Sequence, residues 1–196
     1  MKEEVIKFYK DLGLMNDKMY NYLMNIVKFV REDDELGMSF VGCYTATRLS
    51  DRKLEKIKVF IPYGESLKTT CIQVHEIAHF IDAYSYLEKP YEDYFGREIF
   101  PIAMERIFFE KINNPELMDW FNSYQKELID NVLTFNTDNY ELKKMQQEHI
   151  LGFLHHFDYV DFYNNDGTLP QILDFKVFNN IDIKEELDKK AKVLLK

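Results

Sequence analysis

The chain has 196 residues, 46% of them hydrophobic and 15% aromatic, which suits one globular domain with its own core and excludes a disordered chain. Its net charge of −9 opposes general binding to a nucleic-acid backbone. Only two cysteines occur, Cys43 and Cys71, so no disulfide framework is expected. The opening MKEEVIKFYK lacks the apolar core of a signal peptide, and no apolar run is long enough to span a membrane. These features together give the expectation of a cytoplasmic protein with reduced thiols and no membrane partner.

Apolar residues at helical spacing predict helices over 2–12 (Val5, Ile6, Phe8, Tyr9, Leu12) and 16–32 (Met19, Tyr22, Leu23, Ile26, Val27, Val30). Gly13 and Asn16 mark the break between them, and the pair is expected to pack as a hairpin. The run REDDE at 31–35 reads as a solvated turn. Residues 38–48, MSFVGCYTATR, have strand composition, and in 56–63 Ile57, Val59 and Ile61 alternate with Lys56, Lys58 and Phe60, as in a strand with one wet face. Pro62 ends that strand or sets it at a sheet edge, where an extended peptide could add by β-pairing; its lysines could equally guard a bare edge.

A small antiparallel sheet is thus expected before a helix over 66–88, with Ser66 as its N-cap. A loop at 88–93 follows, then helices over 97–112 and 116–132 separated by the breaker NNP, and a helix over 138–157. Residues 158–181 read as irregular, with NNDG a turn, and a charged helix closes the chain from about 182. The predicted class is mainly α (α+β): a single helical domain over 1–196 with a small sheet. Its N-terminal helices lie in 2–32, its core in 38–160 and its closing segment in 161–196.

The segment TTCIQVHEIAHFIDAY, 69–84, carries the chemistry. On an α-helix, positions four apart differ by only about 40° in azimuth, so His75 and His79 can offer imidazole nitrogens to one ion. Glu76, beside His75, can reach the water that fills an open zinc position. The alternative, a helix that spells HExxH by coincidence, is weakened by the apolar backing of Ile72, Ile77, Ala78 and Ile81. Cys71 shares the face of His75, but an inert buried thiol is the favoured reading. Asp82 could hold a ligand histidine in place or simply be a solvated acid.

A tetrahedral site wants a third protein ligand. No Gly or His follows His79 in the HExxHxxGxxH pattern, which leaves Glu88, Glu92, Glu98, Glu105 and Glu110. Glu88 and Glu92 fall at a helix end and in a loop. Glu98 and Glu105 sit two turns apart on one face of the next helix, so one could bind metal and the other support it.

HEIAHFID followed by REIFPIAMERIFFE resembles the thimet oligopeptidase and oligoendopeptidase F family of zinc metallopeptidases. In that family a second helix, roughly E-I-x-S-x-x-M-E, supplies the third zinc ligand. Glu98, Ile99, Met104 and Glu105 match it, and Pro101 stands where the family often has Ser. The resemblance covers about 38–160, and its specific part is 72–105.

It implies a zincin-like domain with one Zn2+ held by His75, His79 and Glu98. Glu105 would take a supporting place, and Glu76 would be the general base for a zinc-activated water attacking a peptide or protein substrate. Family members are much longer, with a helical half that walls a channel and a downstream loop whose His and Tyr stabilise the oxyanion. The segment HHFDYVDFY offers His155, His156, Tyr159 and Tyr163 for that task. A zinc-binding interaction protein, related to such peptidases but without turnover, is the alternative.

Overall fold

The computed structural model describes residues 1–47, 54–87 and 97–134, and beyond these Met145, Glu148, His149, Gly152, Phe153, His155 and His156. The chain divides into two compact units, Met1–Asp93 and Tyr94–Lys196. Both are rich in helix, and a three-stranded mixed sheet lies in the first, giving an α+β class.

The first unit runs α1 (Glu3–Asp11), α2 (Asp17–Ile26), β1 (Val27–Arg31), α3 (Glu35–Met38), β2 (Gly42–Thr47), β3 (Leu54–Tyr63) and α4 (Leu67–Ser85). The predicted helix 16–32 therefore stops at Ile26. Val27, Phe29 and Val30 carry β-branched and aromatic side chains that suit a pleated strand, and pairing with β3 overrides their helical spacing. The sheet is mixed rather than antiparallel: in the order β1-β3-β2, β1 pairs parallel and β2 antiparallel with β3.

This order overturns the edge position expected for 56–62, and with it the peptide-pairing role. Pro62 is tolerated in a central strand because the β2 pairing ends at Gly42–Phe60, while the β1 pairing continues through Val30–Pro62. At Pro62 the strand has a partner on one side only, so its missing N–H leaves no ladder bond unmade. The alternation within β3 holds, with Ile57, Val59 and Ile61 buried and Lys56 and Lys58 exposed.

The helix α4 packs across β3 and β2. The N-terminal helices are joined by Lys10, which pairs with Asp17 at 2.8 Å and lies over the Tyr20 ring. Their main packing is elsewhere: α1 lies on α4 and α2 on β3, rather than the two forming a self-contained hairpin. Tyr22 stacks on Phe80 and meets Tyr84 edge-on, which ties α2 to the later half of α4.

The second unit contains α5 (Ile99–Ile112) and α6 (Pro115–Thr134). Helix α5 is apolar nearly all round and accordingly buried, with Ile99, Phe100, Ile102, Met104, Ile107 and Phe109 in the core. Pro101 sits in its first turn, where no intrahelical N–H bond is lost. The predicted break at NNP is built from Asn113 in the left-handed region, φ 52°, and from Asn114, whose side chain accepts from Glu116 N at 3.0 Å. Phe109 stacks on Phe121 across α5 and α6. The residues described between 145 and 156 are all helical, as predicted for 138–157. The polar stretch LSDRKLE, 49–55, is expected as a turn; its last two residues, Leu54 and Glu55, instead begin β3, and its first five, with the loop at 88–93 containing Glu88 and Glu92, the irregular stretch 158–181 with Tyr159 and Tyr163, and the closing helix, lie outside the described residues.

Candidate metal centre

One group of candidate residues lies in the middle of α4, in the first unit. The Ser66 hydroxyl caps the helix, accepting from Thr69 N at 3.0 Å, as its sequence position predicts. Three bonds, two of them buried, then pin the turn before the histidines. Gln73 bridges two other segments, donating to Pro62 O at 2.7 Å and accepting from the Lys2 amide at 2.8 Å. The Tyr9 hydroxyl donates to Val74 O at 2.6 Å. Val74, Ile77 and Ala78 are fully buried, so the face carrying His75, Glu76 and His79 is the half-buried one.

The two imidazoles meet through Nε2, 3.1 Å apart. Two nitrogens each bound to one zinc at 2.0–2.1 Å with a tetrahedral angle would stand about 3.3 Å apart. The 3.1 Å separation is that of a hydrogen bond between the rings, and it also lies within a few tenths of an ångström of the spacing one shared ion would require. Asp82, one turn beyond His79, is 7% exposed, which removes the solvated alternative and places it with the buried polar residues of α4. Cys71 is fully buried, in keeping with an inert thiol, and neither cysteine is in a disulfide.

The second unit carries the predicted acids. Glu98 is the residue before the first turn of α5 and is 6% exposed. Its side chain does not cap the helix. Glu105 is also buried, and its Oε2 accepts from Gln125 Nε2 on α6 at 2.6 Å. That bond ties Glu105 to the α5–α6 packing.

His149 is the residue that sequence reasoning left without a role. Its Nε2 lies 3.7 Å from Glu98 Oε2. Its Nδ1–H donates to Met145 O at 2.9 Å, so in the neutral ring Nε2 carries the lone pair. Such a backbone bond on one nitrogen is how proteins orient metal-binding histidines. Just before Glu98, Arg97 meets buried Glu148 at 3.2 Å, a further tie between the start of α5 and the turn that holds His149. Gly152 completes it: a Cβ there would stand 2.9 Å from Glu98 Cβ and 3.0 Å from Glu98 O. The sequence signal was EHILG, an isolated glycine one turn after a histidine inside a helical pattern.

His156, a predicted oxyanion stabiliser, has both nitrogens engaged. Its Nδ1–H donates to Phe153 O at 2.9 Å, and its Nε2 accepts from Arg106 Nε at 3.2 Å. As the ring stands it has no proton to offer a developing oxyanion. Burial lowers the Arg106 pKa from its ordinary value, while Glu110, 3.6 Å away, opposes that shift. His155 is buried at 6% exposure.

The class defined by these features is an α+β protein with an HExxH helix packed on a small mixed sheet and, in its second unit, a buried glutamate beside a half-exposed histidine. Comparison with known proteins gives no match to a family model, to a curated protein or to a solved structure. No helix among the described residues is long and apolar enough to cross a membrane.

Proposed function

We propose that this protein is a zinc-dependent metallopeptidase, with His75, His79 and Glu98 as zinc ligands and Glu76 as general base. The observation that carries the reading is the 3.1 Å Nε2–Nε2 pair on α4 with Glu76 beside it. Glu98 is the third donor that the resemblance selects, and it is a buried carboxylate at the entrance of α5. Zinc in such a donor set lowers the pKa of a bound water toward about 7 and polarises a carbonyl.

The chain's own residues would do the rest. Glu76 takes a proton from the attacking water and passes it to the departing amine. Gln73 and Tyr9 hold the helix turn on which the two histidines ride, so the donors need little rearrangement. Asp82, buried one turn after His79, would hold a ligand histidine in place. The substrate is a peptide or protein, and a cytoplasmic setting is part of the proposal.

The engagement of both His156 nitrogens favours a second reading, a zinc-binding interaction protein without turnover. One experiment separates the two. Metal analysis of protein purified without chelator should find one zinc per chain, and a peptide library should be cut by wild type but not by Glu76→Gln with its zinc retained. Zinc without cleavage in wild type selects the interaction protein. Absence of bound zinc removes both readings.

A further inference from the structure

The sheet of the first unit has two unlike faces. Ile57, Val59 and Ile61 of β3 point to the buried side, and Lys56, Lys58 and Phe60 point the other way. The register sets Lys28 of β1 and Gly42 of β2 beside Phe60, Tyr44 beside Lys58 and Ala46 beside Lys56. The open face thus groups three exposed lysines around two aromatic rings, and none of its paired residues is acidic. Because β3 is the central strand, Lys56 and Lys58 do not guard a sheet edge. Tyr44 meets Phe60 edge-on with ring centres 5.9 Å apart, and its hydroxyl donates to Phe40 O at 3.2 Å. Its ring fills the space left by Gly42, where a Cβ would stand 3.2 Å from it. The ring is held in place, yet Tyr44 is 46% exposed and keeps aromatic surface in water. Lys28 Nζ stands 5.6 Å from the Phe60 ring centre.

We propose that this face binds single-stranded nucleic acid, with a base stacked on Tyr44 and phosphates held by Lys28, Lys56 and Lys58. Lys56 and Lys58 are about 6.6 Å apart along β3, less than the screening length of about 8 Å, so they attract one anionic chain together. Lysines alone would suit any polyanion. The fixed, exposed ring adds a stacking surface that a base can use and an acidic peptide cannot. Glu32, Asp33, Asp34 and Glu35 follow the end of β1 and repel a backbone there, which directs it along β3 toward Lys56. The net charge of −9 confines the contact to this patch and makes it weak and sensitive to salt. A duplex keeps its bases stacked inside and has none to offer Tyr44. The surface is separate from the zinc reading and stands or falls without it.

The test is fluorescence anisotropy of the full chain with a labelled oligothymidylate of about 12 nucleotides. Wild type should bind at low salt with a Kd of about 10–100 μM. The logarithm of the affinity should fall against the logarithm of salt with a slope of about −2, as three phosphate contacts require. Tyr44→Ala, and Tyr44→Leu as a variant that keeps the bulk, should weaken binding about fivefold or more, while Tyr44→Phe should match wild type. Lys56→Gln combined with Lys58→Gln should weaken binding and flatten the slope to about −0.7. Circular dichroism checks that each variant is folded, and a duplex of the same length should compete poorly. No binding at low salt, or binding unchanged in the Tyr44→Ala and double lysine variants, would overturn the proposal. So would equal competition by the duplex. Loss in the lysine variant alone, with polyglutamate competing as well as oligothymidylate, would overturn it too and assign the face to an acidic protein segment.

Discussion

Replacing Gly152 with alanine tests how closely its helical turn packs against the start of α5 at Glu98. The added Cβ would lie 2.5 Å from Ile102 Cδ1, 2.9 Å from Glu98 Cβ and 3.0 Å from Glu98 O. Ordinary carbon contacts are about 3.5–4.0 Å, so the neighbours must retreat by roughly 0.5–1 Å. Ile102 Cδ1 is the far end of a side chain and can swing away. The Glu98 Cβ and carbonyl cannot move without the start of α5. Overpacking of this kind costs about 1–3 kcal/mol, and alanine returns about 1 kcal/mol through its better helix propensity. The net expectation is a loss of about 0–2 kcal/mol, with the Tm falling by roughly 2–4 °C per kcal/mol for a chain of this size. The same retreat displaces Glu98, the proposed third zinc ligand, so on that reading Zn2+ affinity should fall by about tenfold or more. Urea denaturation and chelator competition on one preparation measure both effects. A variant stabilised by about 1 kcal/mol with unchanged affinity would refute the close approach.

Other substitutions probe separate links. Tyr9→Phe removes the buried bond to Val74 O and should cost about 0.5–1.5 kcal/mol in urea denaturation, without changing the number of zinc ions bound. Ser66→Ala deletes the cap of α4 and should cost about 1 kcal/mol, read as a lower thermal midpoint. Glu98→Ala should lower Zn2+ affinity more than Glu105→Ala. The latter should mainly destabilise, by about 1–3 kcal/mol, because it leaves the Gln125 amide without its buried acceptor. The reverse order of affinities would move the third ligand to Glu105.

The sequence by itself determined the local parts of this protein. The 3.6-residue period and the Ser66 cap define α4, and helix geometry then forces His75 and His79 to one side with Glu76 next to them. The same period, with the NNP break, defines α5 and the start of α6 and puts Glu98 at a helix entrance. Relations between distant segments could not be read this way, because they depend on which surfaces pack. Val27–Arg31 satisfies both a helical and a strand pattern, and only the vacant side of β3 decided for the strand. Pro62 suggested an edge because a proline removes one ladder bond, but the staggered ends of β1 and β2 let it sit in the central strand. His156 looked like a donor until Arg106 and Phe153 O were seen to use both its nitrogens. His149 carried only the weak signal of a glycine one turn after it. Its place beside Glu98 arises because Gly152 lets one helical turn approach the Glu98 backbone closely, a contact set by packing rather than by spacing.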